Sequence, residues 1–303
     1  MKKCAKIIFG LGEKRKVFCM LDVILHVCEH SFLDTLKIIP FLFAVFLFIE
    51  FVEHKGSQKL GKALTKLGPF GAVGGAALGC VPQCGFSVMA ANLFSGRLIS
   101  MGTLVAVFIS TSDEAIPVMI SQPDKISSLW KLILCKVIIA IVAGVLVDVF
   151  VKILSKKKEE EKPFEELCSH CGCGHHSIWY SALVHTISTA LFILIVNVIL
   201  TSAIELIGEG TLEKVLMTNS ALQPLVAALF GFIPNCAASV ILTQLYVDGM
   251  LSFGSVVAGL CTGAGVGLVV LFKSNKKLSQ NFIIMGILYV TAVLSGLLIN
   301  VIV

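Results

Sequence analysis

Long apolar stretches separated by short polar segments dominate this 303-residue chain. A helix needs about 20 apolar residues to cross a bilayer, and most of these stretches reach that length. The pattern therefore predicts an all-α polytopic membrane protein. An apolar but short stretch at 17–34, largely within the N-terminal segment 1–30, is predicted to be amphipathic. The predicted spans lie at roughly 33–53, 70–95, 98–120, 129–154, 179–207, 222–246, 250–272 and 279–303.

Composition supports a membrane location and excludes some partners. Apolar residues make up 56% of the chain and charged residues only 14%, whereas a soluble domain carries about 25% charged residues. The net charge of +5 comes from loop lysines, which indicate a cytoplasmic membrane surface and not nucleic-acid binding. We expect a multi-pass protein of the bacterial inner membrane whose surroundings are the lipid bilayer. An oligomer is compatible with the sequence.

An internal repeat divides the chain. The segments "GCVPQCGFSVMAANLF" from Gly79 and "GFIPNCAASVILTQLY" from Gly231 share Gly, Pro, an amide, Cys and Ser in one register, 152 positions apart. The register continues from Gly102 to Gly254 and from Gly144 to Gly296. The repeat predicts two transmembrane halves, 31–154 and 179–303, joined by a cytosolic linker at 155–178.

The charges of equivalent loops predict that the two halves are inverted. Lys156–Lys158 and the loop with Arg97 are basic, whereas the loop equivalent to that of Arg97 holds Asp248. Opposite orientation needs an odd number of crossings per half. We therefore expect three crossings and one re-entrant hairpin in each half, with Pro82 and Pro234 at the tips. Broken backbone is tolerated at membrane depth only where it lines a cavity, and paired broken segments indicate a transporter's substrate site. Two simple proline kinks are the alternative.

Acidic residues within the third predicted span suggest what the site binds. Asp113 and Glu114 are costly at the bilayer centre, and a continuous helix would point them about 100° apart. Gly263, Ala264 and Gly265 stand where the first half has Thr111, Ser112 and Asp113, so one half would supply charge and the other space. The alternative is that Lys136 neutralises acids that have no transport role. The predicted substrate-binding residues are Gln83, Cys84, Asn235, Cys236, Ser110, Thr111, Ser112, Asp113, Glu114, Thr262 and Glu50.

The linker carries a separate metal-binding pattern, "CSHCGCGHH". Thiolate and imidazole ligands at this spacing suit Zn²⁺ or another thiophilic metal, and a cytosolic position keeps the thiols reduced. We expect a metal-capture or sensing loop outside the translocation path, and no other cofactor is required. The predicted ligands are Cys168, His170, Cys171, Cys173, His175 and His176.

Three stretches resemble a family of bacterial multi-span proteins described as heavy-metal exporters with ten spans. They are "PFLFAVFLFIEFVEHK", "GCVPQCGFSVMAANLFSGRLISMGTLVAVFISTSDEA" and "GFIPNCAASVILTQLYVDGMLSFGSVVAGLCTGAGVG". Members of that family are labelled arsenic efflux proteins or manganese transporters. The resemblance covers the chain from about residue 20 onward and implies a metal efflux permease.

The expected function is secondary-active efflux of a divalent metal ion, Mn²⁺ first, coupled to protons or another ion. The sequence contains no phosphate-binding loop that would indicate an ATPase. One alternative is an exporter of arsenic or another metalloid. Another is an exporter of an organic solute or anion held by backbone N–H groups at the hairpin tips. A less favoured alternative is an intramembrane thiol enzyme using Cys84 and Cys236, since the repeat around the broken segments favours transport over catalysis.

Overall fold

In the computed structural model, the described residues are 69–81, 85–111, 115–122, 126–154, 178–207 and 222–302, with helical positions between 32 and 47 described in part. Every regular element in these ranges is a helix, as predicted. The helices are α1 (Pro69–Gly79), α2 (Gly85–Ser95), α3 (Met101–Ser110), α4 (Ala115–Ile120), α5 (Ile126–Leu154), α6 (Ile178–Ile207), α7 (Gln223–Gly231), α8 (Cys236–Val247), α9 (Phe253–Thr262), α10 (Val266–Ser274) and α11 (Leu278–Ile302).

Five stretches of the described chain are long and apolar enough to cross a membrane. They are Met101–Ile120, Ile126–Ile153, Trp179–Ile199, Phe253–Ser274 and Leu278–Ile302. Large apolar side chains on α5, α6 and α11 are exposed, including Trp130, Leu191 and Leu298. Lipid accounts for such outward apolar faces on membrane helices. The all-α polytopic membrane fold predicted from the sequence is confirmed.

Packing contacts recur at the spacing of the sequence repeat. In the first half, Gly144 of α5 packs against Gly102 and Ala106 of α3; in the second, Gly296 of α11 packs against Gly254 and Ala258 of α9. Small residues at these crossings let the helix backbones approach closely, as is common between membrane helices. The two halves therefore build the same three-helix unit, formed by α1, α3 and α5 and again by α7, α9 and α11.

The second broken segment, α7 and α8, ends near the place where it starts. Gln223, at the start of α7, donates from its amide to the Met250 carbonyl at 3.1 Å. Its amide oxygen accepts from the Ser252 backbone N–H at 3.2 Å and from the Ser255 hydroxyl at 2.9 Å. The start of α7 thus lies beside the start of α9, although α7 and α8 separate them in the chain. This is the contact expected of a hairpin, and its re-entry into a membrane stays a prediction.

Contacts between α2 of the first half and α10 of the second show how these two helices run relative to each other. Gly267 of α10 packs on Ser87 of α2, and the Ser274 hydroxyl donates to the Asn92 side-chain oxygen at 2.9 Å. Residue numbers rise from the first contact to the second along both helices, so α2 and α10 run side by side in the same direction. Arg97, which follows α2, also donates to Gln280 at the start of α11, at 3.3 Å. Opposite orientation of the two halves in a membrane is compatible with these directions and stays a prediction.

Candidate functional site

In both broken segments the first helix ends and the second begins on either side of the predicted break. Between α1 and α2, residues 82–84 lie outside the described residues, and the Cys80 thiol donates to the Ala76 carbonyl at 3.2 Å. Between α7 and α8 the chain passes through Pro234 to Asn235, which caps α8. A proline cannot donate the backbone hydrogen bond that a continuing helix requires, so it favours a break here.

Asn235 and Cys236 begin the second returning helix. The Asn235 side-chain oxygen accepts from the Ala237 backbone N–H at 3.0 Å, the usual role of asparagine at a helix N-terminus. Its amide nitrogen donates to the Thr201 hydroxyl of α6 at 2.7 Å. The half-buried Cys236 is the first residue of α8. The buried Asn235 side chain therefore fixes the hairpin tip against α6.

Two further helix breaks, which sequence reasoning missed, follow α3 and α9. The span predicted at 98–120 contains a break, because α3 ends at Ser110 and Thr111 leaves the helical conformation with φ −56° and ψ 126°. The Ser110 and Thr111 hydroxyls donate back to the Val107 carbonyl, at 3.0 and 2.8 Å. Such local bonds compete with helix continuation. At the equivalent place, α9 ends at Thr262 before Gly265, whose φ of 54° favours glycine.

The Ser110 and Thr262 hydroxyls lie at equivalent helix crossings. Thr262 is fully buried and donates to the Ala228 carbonyl of α7 at 2.7 Å. Ser110 is buried and donates to the Ala106 carbonyl at 2.9 Å. Glycine at position 79 or 231 makes room for each hydroxyl, because an added Cβ would overlap it. Both predicted site residues therefore help to pack the hairpins onto α3 and α9.

Lys136 joins the ends of the two broken helices. It belongs to α5, is only 1% exposed and donates from Nζ to the Thr111 carbonyl. The same ammonium donates to the Leu260 carbonyl of α9 at 2.9 Å. One side chain thus brings together the C-terminal ends of α3 and α9, which come from different halves. A lysine inside a long apolar helix is itself a sequence signal of function, although its partners are not readable from sequence.

The remaining predicted ligands lie outside the described residues. Among the residues that are described, no three His, Cys, Asp or Glu side chains form a group that could hold a metal ion. Thr111, the last described residue before the acidic pair, is 3% exposed and contacts Lys136. Thr111 therefore lies at the junction of the two halves. Outside the described residues lie Gln83, Cys84, Ser112, Asp113, Glu114, Glu50, Cys168, His170, Cys171, Cys173, His175 and His176.

Comparison with known families agrees with this architecture. A family described as "Putative, 10TM heavy-metal exporter" matches residues 20–207 and 187–303. The chain belongs to this family. The two matches together extend from residue 20 to the last residue, so they include both halves and the linker. No curated protein and no solved structure was found to match the chain. Family membership confirms the resemblance seen in the sequence and supports metal efflux in general.

Proposed function

We propose that the protein is a secondary-active metal-ion efflux permease of the bacterial inner membrane, coupled to protons or another ion. The observation that carries this proposal is the meeting of two broken helices, one from each half, at Lys136. Discontinuous helices that meet between repeats form the substrate and ion sites of many secondary transporters. Family membership adds the substrate class, since the family is described as exporting heavy metals.

The chemistry around this junction favours a cation. Helix C-termini carry partial negative charge, and the Lys136 ammonium already lies between the C-terminal ends of α3 and α9. A substrate cation would therefore be held by the residues that follow α3. The next residues along the chain after Thr111 are Ser112, Asp113 and Glu114. Carboxylate, hydroxyl and carbonyl oxygens suit a hard divalent ion. We therefore put Mn²⁺ first among the substrates.

Two other substrates remain as the alternatives. Thiols at Cys84 and Cys236 suit trivalent arsenic or another soft ion. The buried Lys136 ammonium is the observation that favours an organic anion, because it places positive charge at the junction. Neither alternative uses the Asp113 and Glu114 carboxylates as ligands, so the acidic pair distinguishes them from Mn²⁺ export.

The test is a direct flux measurement in inside-out vesicles. Cells lacking their native metal exporters would express the full chain, and the vesicles would be offered Mn²⁺, Zn²⁺, arsenite or an organic arsenical in turn. We expect proton-gradient-dependent accumulation of Mn²⁺ above that of vesicles without the protein. Uptake of arsenicals alone would move the assignment to the metalloid alternative. Absence of uptake for every metal and metalloid, with normal protein levels, would contradict metal export.

A further inference from the structure

The carbonyl groups that bind Lys136 are ones that the helices themselves do not satisfy. In a continuing α-helix the Leu260 carbonyl would accept from the Ala264 N–H. The Ala264 N–H instead donates to the Thr262 carbonyl at 2.8 Å, because α9 ends there. Thr111 follows the end of α3 with non-helical backbone angles, φ −56° and ψ 126°. Both carbonyls therefore belong to helix ends, where acceptor groups need a partner from elsewhere.

Carbonyl groups at helix ends, buried and pointing to one place, are a favourable environment for a small cation. Partial negative charge accumulates at helix C-termini, and broken transporter helices use such ends to coordinate monovalent cations. Here the cation is an ammonium group carried by α5, 99% shielded from solvent. Lys136 joins three helices, since α5 supplies the charge while α3 and α9 supply the carbonyls.

We propose that Lys136 is a tethered cation that occupies a cation-binding position between the ends of α3 and α9 and thereby fixes the two halves against each other. The position equivalent to Lys136 in the second half holds the buried Leu288, so only the first half supplies this charge. Removal of the side chain would open a site for a small free cation of the ammonium or alkali-metal class. Lys136 acts here as a positioning residue. The inference rests on the contacts themselves and does not depend on which substrate is exported.

A shortened side chain and a matched soluble cation provide the test. Lys136→Ala removes a propylammonium fragment, so n-propylammonium chloride should fill the vacated site in the purified, detergent-solubilised full chain. We expect the variant to melt about 5–10 °C below the wild type. Propylammonium should restore at least about half of that loss at millimolar concentration, through preferential binding to the folded state.

Three controls separate charge from volume. 1-Propanol has a similar shape without charge and should restore nothing. Lys136→Met fills the space and should be destabilised without responding to propylammonium. Lys273 also donates to a backbone carbonyl, that of Ser188 at 3.0 Å, but it lies at an exposed position. Lys273→Ala should therefore not respond to propylammonium either. Equal restoration by propanol, or no restoration by any small cation, would overturn the proposal.

A second pair of variants decides the question if Lys136→Ala does not accumulate. Lys136→Leu removes the ammonium, and Lys136→Leu/Leu288→Lys offers one from the equivalent position of the other half. We expect the double variant to accumulate about tenfold more folded protein than the single variant, because one buried charge again bonds the two helix ends. Equal, low accumulation of both would contradict the tethered-cation role. Because folded protein is measured, failure here is distinguishable from failure of metal export.

Discussion

Gly79 packs against Ser110 so closely that a side-chain carbon at position 79 would overlap the Ser110 hydroxyl. In the second half, Gly231 packs against Thr262 in the same way. Each glycine lies at the end of the first helix of a hairpin, and each hydroxyl lies at the end of the helix on which that hairpin packs. In each half a close helix approach thus lies beside a helix break.

Gly79→Ala and Gly231→Ala should each lower stability by about 1–3 kcal/mol, because the added methyl group must displace buried backbone. Gly74→Ala and Gly286→Ala are the matched controls, since a Cβ at either position meets nothing within 4 Å. We expect the controls to melt at or slightly above the wild-type temperature, as alanine favours a helix. Thermal melting of the four purified variants checks this, and equal destabilisation of all four would contradict the packing argument.

The repeat also predicts which substitution Asp148 tolerates. An Asp148 carboxylate oxygen accepts from the Gly102 N–H at 2.8 Å, and in the second half the Asn300 amide oxygen accepts from the Gly254 N–H at 3.0 Å. Asp148→Asn should therefore change stability little. Asp148→Leu should cost about 1–2 kcal/mol, because the start of α3 loses its acceptor. Melting temperatures of the two variants distinguish a role of the hydrogen bond from a need for charge.

The acidic pair should divide ligand and proton roles. Asp113→Asn should abolish metal-dependent transport while the protein still inserts in the membrane, because the amide cannot replace a charged ligand. Glu114→Gln should chiefly alter the pH dependence, since protons and metal ions compete for carboxylate oxygens. Metal uptake into inside-out vesicles across a pH series measures both. Normal uptake by Asp113→Asn would make Asp113 a structural acid.

The linker cluster should bind metal without forming the pathway. Replacement of Cys168, Cys171 and Cys173 by Ser should weaken Zn²⁺ binding strongly, because thiolates are its preferred ligands. Most transport should remain. Zn²⁺ competition against a chromogenic chelator and vesicle flux measure the two properties, with Ser169→Ala as the neighbouring control. Loss of flux at normal expression would place the cluster in the pathway.

Topology gives an independent test of the inverted hairpins. Single cysteines at position 97 and within the linker should react with an impermeant reagent only from the cytoplasmic side, and one at position 248 only from outside. The chain used would lack other reactive thiols. The Arg97–Gln280 contact motivates a fourth cysteine at position 277, which should behave like position 97. Labelling of positions 97 and 248 from the same side would exclude the inverted arrangement.

Sequence reasoning reached the repeat and the proline-containing breaks because both leave local marks. Gly79 and Gly231 mark the register, and Pro82 and Pro234 mark the interruptions. The breaks after α3 and α9 were missed because neither contains proline. At both ends a hydroxyl, that of Ser110 or Thr262, donates to the carbonyl three residues earlier. Thr111 adds a second bond to the Val107 carbonyl in the first half, and Gly265 follows the end in the second.

The contacts of Lys136 could not be predicted in the same way. Leu260 lies 124 positions further along the chain, and its carbonyl is available only because α9 ends two residues later. The sequence indicated that a buried lysine needed a partner and suggested the acidic pair. The tertiary arrangement adds backbone partners from both halves, which no side-chain pattern encodes.

Gln223 attaches the second hairpin to its surroundings through side-chain hydrogen bonds at the hairpin base. Its side chain forms hydrogen bonds between the base of the second hairpin and Met250, Ser252 and Ser255. The second hairpin and the start of α9 should therefore move together. The equivalent residue in the first half is Gly71, which has no side chain with which to make such a clasp. At position 71 the first hairpin therefore lacks the side chain that makes these three bonds in the second, so the duplication has produced two hairpins whose bases are held differently at this position.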